Sequence, residues 1–457
     1  MIPGVRRLAR AGRGGSRRAW SGPPVHPLAV AVAFVLSFSA VHAGQAVPGG
    51  RDPRVERLVT SISTTHLREM LTTLVSFGTR STLSRPDSTT RGIGAARQWI
   101  ADELRRASPK LQVSFDTYRF KPQRRLTREV ELRQVIAVLP GRTPRRIYVT
   151  AHYDTLNLPD QTAKIVRPSP LPAGFDAQSQ PGQDYEVAAP GANDDGSGTV
   201  LVMELARRFA ESGIDFDATL VFALWSGEEQ GEFGALAHAQ RMAAARTPID
   251  AMFNNDIVGN SHGGNGAFDN GSVRVYSEGP EDSPSRALAR YIERAGATYL
   301  PAHQVRLMSR PDRFQRGSDH EAFNAAGFTA VVFREATENY ARQHSANDTL
   351  DDVDVEYLSQ NVRLNAAAIA SLALAPKAPI VDRAWGADDR AGCLRLRRGT
   401  DVEGITGRGR VPDLLAGRVG SRLGAPADGG QRDGVRPFQP VHRRRGHRRR
   451  RCRCRRT

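Results

Sequence analysis

The fold is decided around residues 218–229, which read ATLVFALW-SGEE and join an apolar segment to two adjacent carboxylates. The apolar segment, 218–225, is typical of a strand that is buried on both faces. If the Ser-Gly step after it turns the chain, Glu228 and Glu229 leave the strand tip in different directions. One of them could then bind a metal ion while the other carries protons. The alternative is a solvated helix start, since acidic residues suit the first turn of a helix.

Side chains with metal-binding atoms recur where other predicted strands end. His152 follows a predicted strand at 146–150, and Asp256 follows one at 251–255. In open α/β sheets, ligand sites form in the crevice beyond the carboxyl ends of the strands. We therefore expect five side chains to converge at that edge of the sheet, in chain order His152, Asp194, Glu229, Asp256 and His344.

Helical and strand patterns alternate through residues 130–374, which predicts an α/β fold with a mostly parallel sheet. Apolar residues recur at helical spacing in some segments, and short apolar runs separate them. The predicted helices are 54–76, 91–107, 197–212, 233–245, 284–295, 319–326 and 354–374, and the predicted strands are 111–118, 130–139, 146–150, 218–225, 251–255, 272–277 and 329–333.

The net charge of +17 is confined to the two ends of the chain. Residues 1–43 carry six arginines and no acid, and residues 390–457 carry twenty arginines against five acids. The part between them, 44–389, has a net charge of −4. This mildly acidic balance argues against nucleic acid as a partner of the core.

The ends of the chain predict two segments that flank one catalytic domain. Arginines precede an apolar run at 28–41, and a small-residue cleavage site follows, which predicts a secretory signal peptide over residues 1–43. The run is short for a transmembrane helix, and an uncleaved anchor is the alternative. We expect a secreted or periplasmic protein, without membrane attachment after cleavage, whose catalytic domain covers 44–380. Residues 381–457 form an Arg/Gly-rich tail, either disordered or translated out of frame, with a basic binding tail as the third reading.

Carboxylate and imidazole ligands without thiolates favour Zn²⁺, with Mn²⁺ or Co²⁺ as alternatives. The core contains no cysteine, because all three lie in the basic end, so a cysteine nucleophile is excluded there. Five protein ligands are too many for one catalytic zinc ion, which keeps a position open for water. They suit two ions about 3.5–4 Å apart if one carboxylate bridges them. Asp194 is placed to do so by its glycine-rich loop, 191–198.

A serine hydrolase is not indicated by the serines near these ligands. Neither Ser197 nor Ser226 lies in a Gly-x-Ser-x-Gly motif. Ser318 and His320 are too close in sequence to form a catalytic relay, and we predict that Ser318 caps the helix that follows it. His320 could instead pack near the site.

The ordered set of motifs resembles the M28 family of zinc aminopeptidases over residues 90–375. Each motif is weak by itself, but their order along the chain is specific. The matching segments are His152-Tyr153-Asp154, the loop 191–198, Ser226-Gly227-Glu228-Glu229, Asp256, and His344 shortly before Asp348-Thr349. The resemblance implies a three-layer αβα sandwich with a mixed, mostly parallel central sheet.

The same resemblance implies a role for each site residue. His152 and Asp256 would hold one zinc ion, Glu229 and His344 the other, and Asp194 would bridge them. Glu228 would be the general base that takes a proton from water and delivers it to the leaving amine. Asp154 would orient His152 through its second ring nitrogen. Family members often place a tyrosine near the last histidine as an oxyanion donor, and Tyr340 is the candidate because Gln343 directly precedes His344.

The implied function is a secreted two-zinc exopeptidase that acts on peptide substrates, most simply an aminopeptidase. Carboxypeptidases of similar fold share these ligands, so the direction of attack stays open. A glutaminyl cyclase is a second alternative, although such relatives work with one zinc ion and lack an equivalent of His152. A non-catalytic binding module is the third, and the presence of Glu228 argues against it. The sequence does not indicate an oligomeric state.

Overall fold

A computed structural model describes residues 50–159 and 184–376. The predicted signal peptide and the predicted tail therefore lie outside the described residues. Within the described ranges, no helix is both long enough and apolar enough to cross a membrane.

The described part of the chain alternates helices and strands. Its helices are α1 (Pro53–Thr60), α2 (Thr64–Ser76), α3 (Gly92–Ala107), α4 (Gly196–Glu211), α5 (Phe233–Ala244), α6 (Pro284–Tyr299), α7 (His320–Ala325) and α8 (Val355–Leu374), with a 3₁₀ turn at Leu350–Asp352. Its strands are β1 (Gln112–Phe120), β2 (Val130–Leu139), β3 (Thr143–His152), β4 (Ala218–Trp225), β5 (Ile249–Asn255), β6 (Ser272–Ser277), β7 (Gln304–Met308) and β8 (Ala330–Glu335).

The eight strands form one mixed sheet in the order β1-β2-β4-β3-β5-β8-β6-β7. Its centre is parallel, because β4, β3, β5 and β8 pair side by side in the same direction. Antiparallel pairs occur towards the edges, between β1 and β2, β2 and β4, and β6 and β8. The sequence prediction of an α/β fold with a mixed, mostly parallel sheet is confirmed.

Helices cover both faces of the sheet, as the burial of alternate residues in β4 shows. Leu220, Phe222 and Leu224 belong to a large apolar cluster with residues of α1–α4, α6 and α8. Val221 and Trp225 belong to a second cluster with residues of α5 and α7. Since successive side chains of a strand point to opposite faces, the two clusters lie on opposite sides of the sheet. The result is the predicted three-layer sandwich.

Two element predictions differ from the structure. The helical pattern at 54–76 is broken into α1 and α2, because Ser63 caps the second helix by accepting a hydrogen bond from the backbone N–H of His66 at 3.1 Å. Strand β7 was not predicted. It is a five-residue strand at the edge of the sheet with no fully buried side chain, so it lacks the apolar run that marks the central strands.

Candidate metal centre

The pairing of the central strands brings the predicted ligands to one edge of the sheet. His152, the last residue of β3, lies opposite Trp225, the last residue of β4. The Ser-Gly-Glu-Glu turn therefore begins beside His152. In the pairing of β3 with β5, Thr150 lies opposite Asn254. Two residues further along the chain come His152 on the β3 side and Asp256 on the β5 side. The parallel register thus fixes three of the five predicted positions along one line.

The five predicted ligands form two triplets that share Asp194. In each triplet, the donor atoms all lie within 4.8 Å of one another; the triplets are His152, Asp194 and Asp256, and Asp194, Glu229 and His344. Asp194 presents one oxygen to each side. Its Oδ1 lies 3.5 Å from His152 Nε2, and its Oδ2 lies 3.1 Å from His344 Nε2. A carboxylate in this position can bridge two cations.

The remaining distances complete each triplet. His152 Nε2 lies 3.8 Å from Asp256 Oδ1, and His344 Nε2 lies 3.2 Å from Glu229 Oε2. Glu228 belongs to neither triplet, although its Oε2 lies 3.8 Å from His152 Nε2. The structure therefore separates the Glu228 carboxylate from the five side chains, three carboxylates and two imidazoles, that could bind metal.

Buried acceptors at the site show that its residues fit a metal centre. In the described part of the chain, Asp194 Oδ2 and Glu229 Oε1 are buried and accept no hydrogen bond. Burial of a carboxylate oxygen that accepts no hydrogen bond is costly, so these two atoms fit a site that holds a cation. Imidazole nitrogens and carboxylate oxygens without sulfur form the donor set that suits zinc.

The loop that carries Asp194 is held by a second carboxylate, which the sequence reading did not assign. Asp348 accepts hydrogen bonds from the backbone N–H groups of Asn193 and Asp194, both at 2.8 Å. Gly191 has a φ of 53° and approaches Thr155 so closely that a Cβ would lie 2.2 Å from its methyl group. Only glycine tolerates both conditions. The position of Asp194 is therefore fixed from outside the loop.

Asp195, the next residue of this loop, caps the helix that follows and also holds the backbone of a candidate ligand. Its Oδ1 accepts from the backbone N–H of Gly198 at 2.9 Å and so caps α4. Its Oδ2 accepts from the backbone N–H of His152 at 3.1 Å, and Oδ1 also accepts from that of Ile257 at 3.2 Å. One buried carboxylate thus joins the loop to the ends of β3 and β5.

Asp154 lies against the second ring nitrogen of His152, and the nearer contact is made by its backbone. The Nδ1 atom of His152 lies 3.1 Å from the backbone carbonyl oxygen of Asp154, whereas the Asp154 carboxylate is 3.6 Å from Nδ1. That carboxylate instead accepts from the backbone N–H groups of Glu228 and Glu229, at 3.4 and 3.3 Å, and from Thr82 Oγ1 at 2.7 Å. Asp154 therefore ties the Glu-Glu turn to the end of β3 as well as supporting His152 through its main chain.

Ser318 does not cap a helix, so that prediction is wrong. The N-cap residue of α7 is Asp319, and it makes no side-chain capping bond. Ser318 Oγ instead donates to Asp256 Oδ2 at 2.5 Å and accepts from Asn254 Nδ2 at 2.8 Å. His320 is buried, its Nε2 lies 2.9 Å from the carbonyl oxygen of Pro311, and burial lowers its pKa to about 4. It is in neither triplet.

Tyr340 lies at the surface and is 59% exposed. The guanidinium of Arg316 lies over its ring at 5.9 Å. Arg316 lines the cavity of about 400 Å³ that opens onto Glu228 and four of the five candidate ligands, but Tyr340 is not among the residues that line it. In this structure Tyr340 therefore lies at the surface, outside the lining of the cavity.

The electrostatics of the site reflect several carboxylates in a small buried volume. Burial raises the pKa of Glu228 to about 8, and the charges of Asp256, Asp154 and Asp194 act in the same direction. Burial alone would lower the pKa of His152, but the surrounding carboxylates, Glu228 first, hold it well above its ordinary value. In the metal-free protein, protons bound to these carboxylates and to His152 therefore supply the positive charge that metal cations would supply.

The chelator-stripped protein is expected to lose thermal stability as the pH rises from about 5 to about 8. Burial raises the pKa of Glu228 to about 8, that of Glu232 to about 9 and that of Asp348 to about 7. A group whose pKa is higher in the folded state stabilises the fold fully at pH values below its unfolded-state pKa. This stabilisation is lost as the pH rises through the folded-state pKa. We expect Tm to fall on the order of 5 °C across this window.

Calorimetry with and without zinc checks this expectation. The lowered pKa of His320 makes the folded state more stable as the pH rises, but only between about pH 4 and its ordinary pKa of 6.5. Zinc-loaded protein should show a smaller fall, because bound cations replace the protons. A Tm of the stripped protein that rises steadily over the same window would contradict the expectation.

A three-layer αβα sandwich with carboxylate and histidine triplets at one edge of its sheet is the architecture of a metal-dependent enzyme. The chain belongs to peptidase family M28, whose model matches residues 134–369. It is a zinc metallopeptidase by this membership. The sequence-based recognition of the family is confirmed.

Relatives agree with this assignment. A "Probable zinc metalloprotease" of the fungus Leptosphaeria maculans is 34% identical over 361 residues, covering 72% of this chain and 78% of the relative. A relative with the same description from Pyrenophora teres f. teres is 33% identical over 368 residues, covering 73% and 71%. The family model, over residues 134–369, includes all five candidate ligands.

Solved structures support the fold. The LapA aminopeptidase of Legionella pneumophila superposes with a TM-score of 0.53 at 20% identity, covering 72% of this chain and 76% of that one. The glutaminyl cyclase of Porphyromonas gingivalis gives 0.51 at 17% identity, covering 68% and 99%. Both likenesses concern the fold, which peptidases and cyclases share.

Proposed function

We propose that this protein is a secreted two-zinc exopeptidase, specifically an aminopeptidase that removes N-terminal residues from peptides. The observation that carries the proposal is the position of Asp194, whose two oxygens face His152 on one side and His344 on the other. A one-metal site does not need a shared carboxylate of this kind. Mn²⁺ or Co²⁺ suit the same donor atoms less well than Zn²⁺.

In this proposal each residue has one task. His152 and Asp256 hold one ion, Glu229 and His344 hold the other, and Asp194 lies between them. Zinc at these positions supplies an activated water and polarises the scissile carbonyl. Glu228 accepts the proton of the attacking water and delivers it to the leaving amine. Its place outside both triplets leaves its carboxylate available for this exchange.

The cavity next to Glu228 suits a peptide end that carries polar groups. It measures about 400 Å³ and is lined by both charged and apolar side chains, Arg124, Arg316, Glu232, Leu158 and Ile257 among them. Its size corresponds to the lower part of the range for small-molecule sites, about 300–1,000 Å³. A cavity of this size takes the terminal residues of a peptide, which favours an exopeptidase.

Three other functions share parts of this geometry. A carboxypeptidase would use the same ligands with the opposite direction of attack. A glutaminyl cyclase is supported by the fold alone, and the presence of His152 in a triplet with Asp194 and Asp256 argues against it. A binding module without catalysis would not need the Glu228 carboxylate beside the candidate ligands. We therefore place aminopeptidase first.

The proposed location is outside the cytoplasm. It is supported by the arginine-rich start, the apolar run at 28–41 and the small residues that follow it. These residues lie outside the described part of the structure, so the proposal depends on the sequence pattern. Mass determination of the mature N-terminus after expression with residues 1–43 tests it directly.

Hydrolysis of amino-acid p-nitroanilides by the full chain tests the proposed activity. We expect turnover that a chelator abolishes and added zinc restores. Peptides with an acetylated N-terminus should be resistant, while peptides with an amidated C-terminus should be cleaved. The reverse pattern would show a carboxypeptidase. Cyclisation of N-terminal glutamine without release of amino acids would show a cyclase.

A further inference from the structure

One of the two metal triplets contains a carboxylate that is already paired with a buried arginine. Arg334 Nη1 lies 2.5 Å from Asp256 Oδ1, and the Arg334 side chain is fully buried. Its Nη2 donates to Asp312 Oδ2 at 2.6 Å. Arginine stays protonated in proteins, so a full positive charge lies next to one predicted metal ligand.

The arginine is held in place by a chain of ion pairs that leads away from the site. Asp312 also lies 3.2 Å from Arg313 Nε, and Arg313 Nη1 lies 2.5 Å from Glu338 Oε2. Glu338 in turn pairs with Arg274. Arg334 also donates from Nη1 to the backbone carbonyl of Asp256 at 3.0 Å. Its guanidinium therefore has a fixed position relative to Asp256.

Both oxygens of Asp256 are engaged before any cation binds. Arg334 takes Oδ1, and Ser318 Oγ donates to Oδ2 at 2.5 Å. The other triplet differs. In the described ranges, Glu229 Oε1 is buried and accepts no hydrogen bond, while Oε2 faces His344 Nε2 at 3.2 Å. A cation at Asp256 shares its ligand with a guanidinium, whereas a cation at Glu229 satisfies an otherwise unpartnered acceptor.

We propose that Arg334 makes the two metal positions unequal: the position at His152 and Asp256 binds zinc more weakly and fills after the position at Glu229 and His344. The inference rests on the two-metal function proposed above. The guanidinium neutralises the carboxylate charge that attracts the ion and repels the ion directly. Arg334 is in this sense a positioning residue that acts on the metal through Asp256.

Zinc titration of the chelator-stripped full chain against a chromophoric chelator tests the order of filling. We expect two steps whose dissociation constants differ at least tenfold. His344→Ala should remove the tighter step, and His152→Ala should remove the weaker one. Two equal steps, or loss of the tighter step in His152→Ala, would overturn the inference while leaving the two-metal function intact. A single bound ion in the wild type would overturn the two-metal function itself.

Substitution of the arginine tests the cause. The double variant Arg334→Met with Asp312→Asn removes the positive charge together with its second carboxylate, so that Asp256, the candidate ligand, is the one carboxylate that loses its pairing with this guanidinium. We expect the weaker step to tighten at least tenfold while the tighter step stays unchanged. Arg334→Lys keeps the charge and should retain the weak step. A weaker step that is unchanged or lost in the double variant would contradict the assigned role.

Arg274→Met is the matched control, because it removes the guanidinium at the far end of the same chain of ion pairs. It should leave both zinc steps as in the wild type. Circular dichroism establishes that each variant is folded before titration. If the double variant fails to fold, the two histidine variants still decide the inference, because each deletes one position and reveals which one fills first.

Discussion

Glu228→Gln is expected to lower kcat for peptide hydrolysis by about 10²–10⁴-fold while the zinc content stays at the wild-type level. Glutamine has the shape of glutamate but cannot accept a proton at neutral pH. Glu228 lies outside both ligand triplets, so its replacement removes proton transfer and leaves the metal-binding atoms in place. The measurement is kcat on a p-nitroanilide, with metal analysis of the same preparation.

The control for this substitution is Glu321→Gln. Glu321 is a half-buried carboxylate whose pKa burial raises to about 7, but it does not line the cavity at Glu228. Its replacement should change kcat by less than tenfold. Unchanged turnover in Glu228→Gln would remove Glu228 from its assigned role. Loss of both activity and zinc in that variant would instead show that Glu228 is a ligand.

Asp194→Asn is expected to reduce zinc binding at both positions and to abolish measurable activity. The carboxylate is the one side chain common to the two triplets. Asparagine offers a single neutral oxygen, so it cannot bridge two cations. Loss of the group that orients a histidine ligand typically costs about 10–100-fold in metal affinity, so loss of a shared ligand should cost at least as much at both positions. Metal analysis after dialysis against buffer with a weak chelator provides the readout.

The histidine variants give the matched comparison. His152→Ala and His344→Ala should each lose one ion, since each histidine belongs to one triplet. All three variants should stay folded by circular dichroism, because their elements are buried in the large apolar clusters away from the site. If Asp194→Asn loses no more zinc than either histidine variant, Asp194 is not shared.

The convergence of the five candidate ligands could be predicted from the sequence because each follows a recognisable strand or turn. His152 and Glu229 come after apolar segments that the structure shows as β3 and β4, and the parallel register of those strands brings their ends together. The predicted bounds of β4, residues 218–225, agree with the structure. The local sequence pattern and the expected sheet topology were therefore sufficient to predict which side chains meet at this edge of the sheet.

The groups that hold the ligands could not be predicted in this way. Ser318 and Arg334 contact Asp256 from 62 and 78 positions along the chain, and Asp348 reaches the Asp194 loop over 154 positions. No local pattern marks such residues, because their side chains are defined by tertiary packing alone. Ser318 even carried a misleading local signal, since a serine before a helix is a common cap.

The direct test of the two-metal account is the zinc content of the wild-type chain. The full-length protein is stripped with a chelator, reconstituted with excess zinc, dialysed, and measured by mass spectrometry for metal and protein together. The account predicts two zinc ions per chain, because Asp194 presents one oxygen to each histidine. One ion per chain, or none, would contradict it.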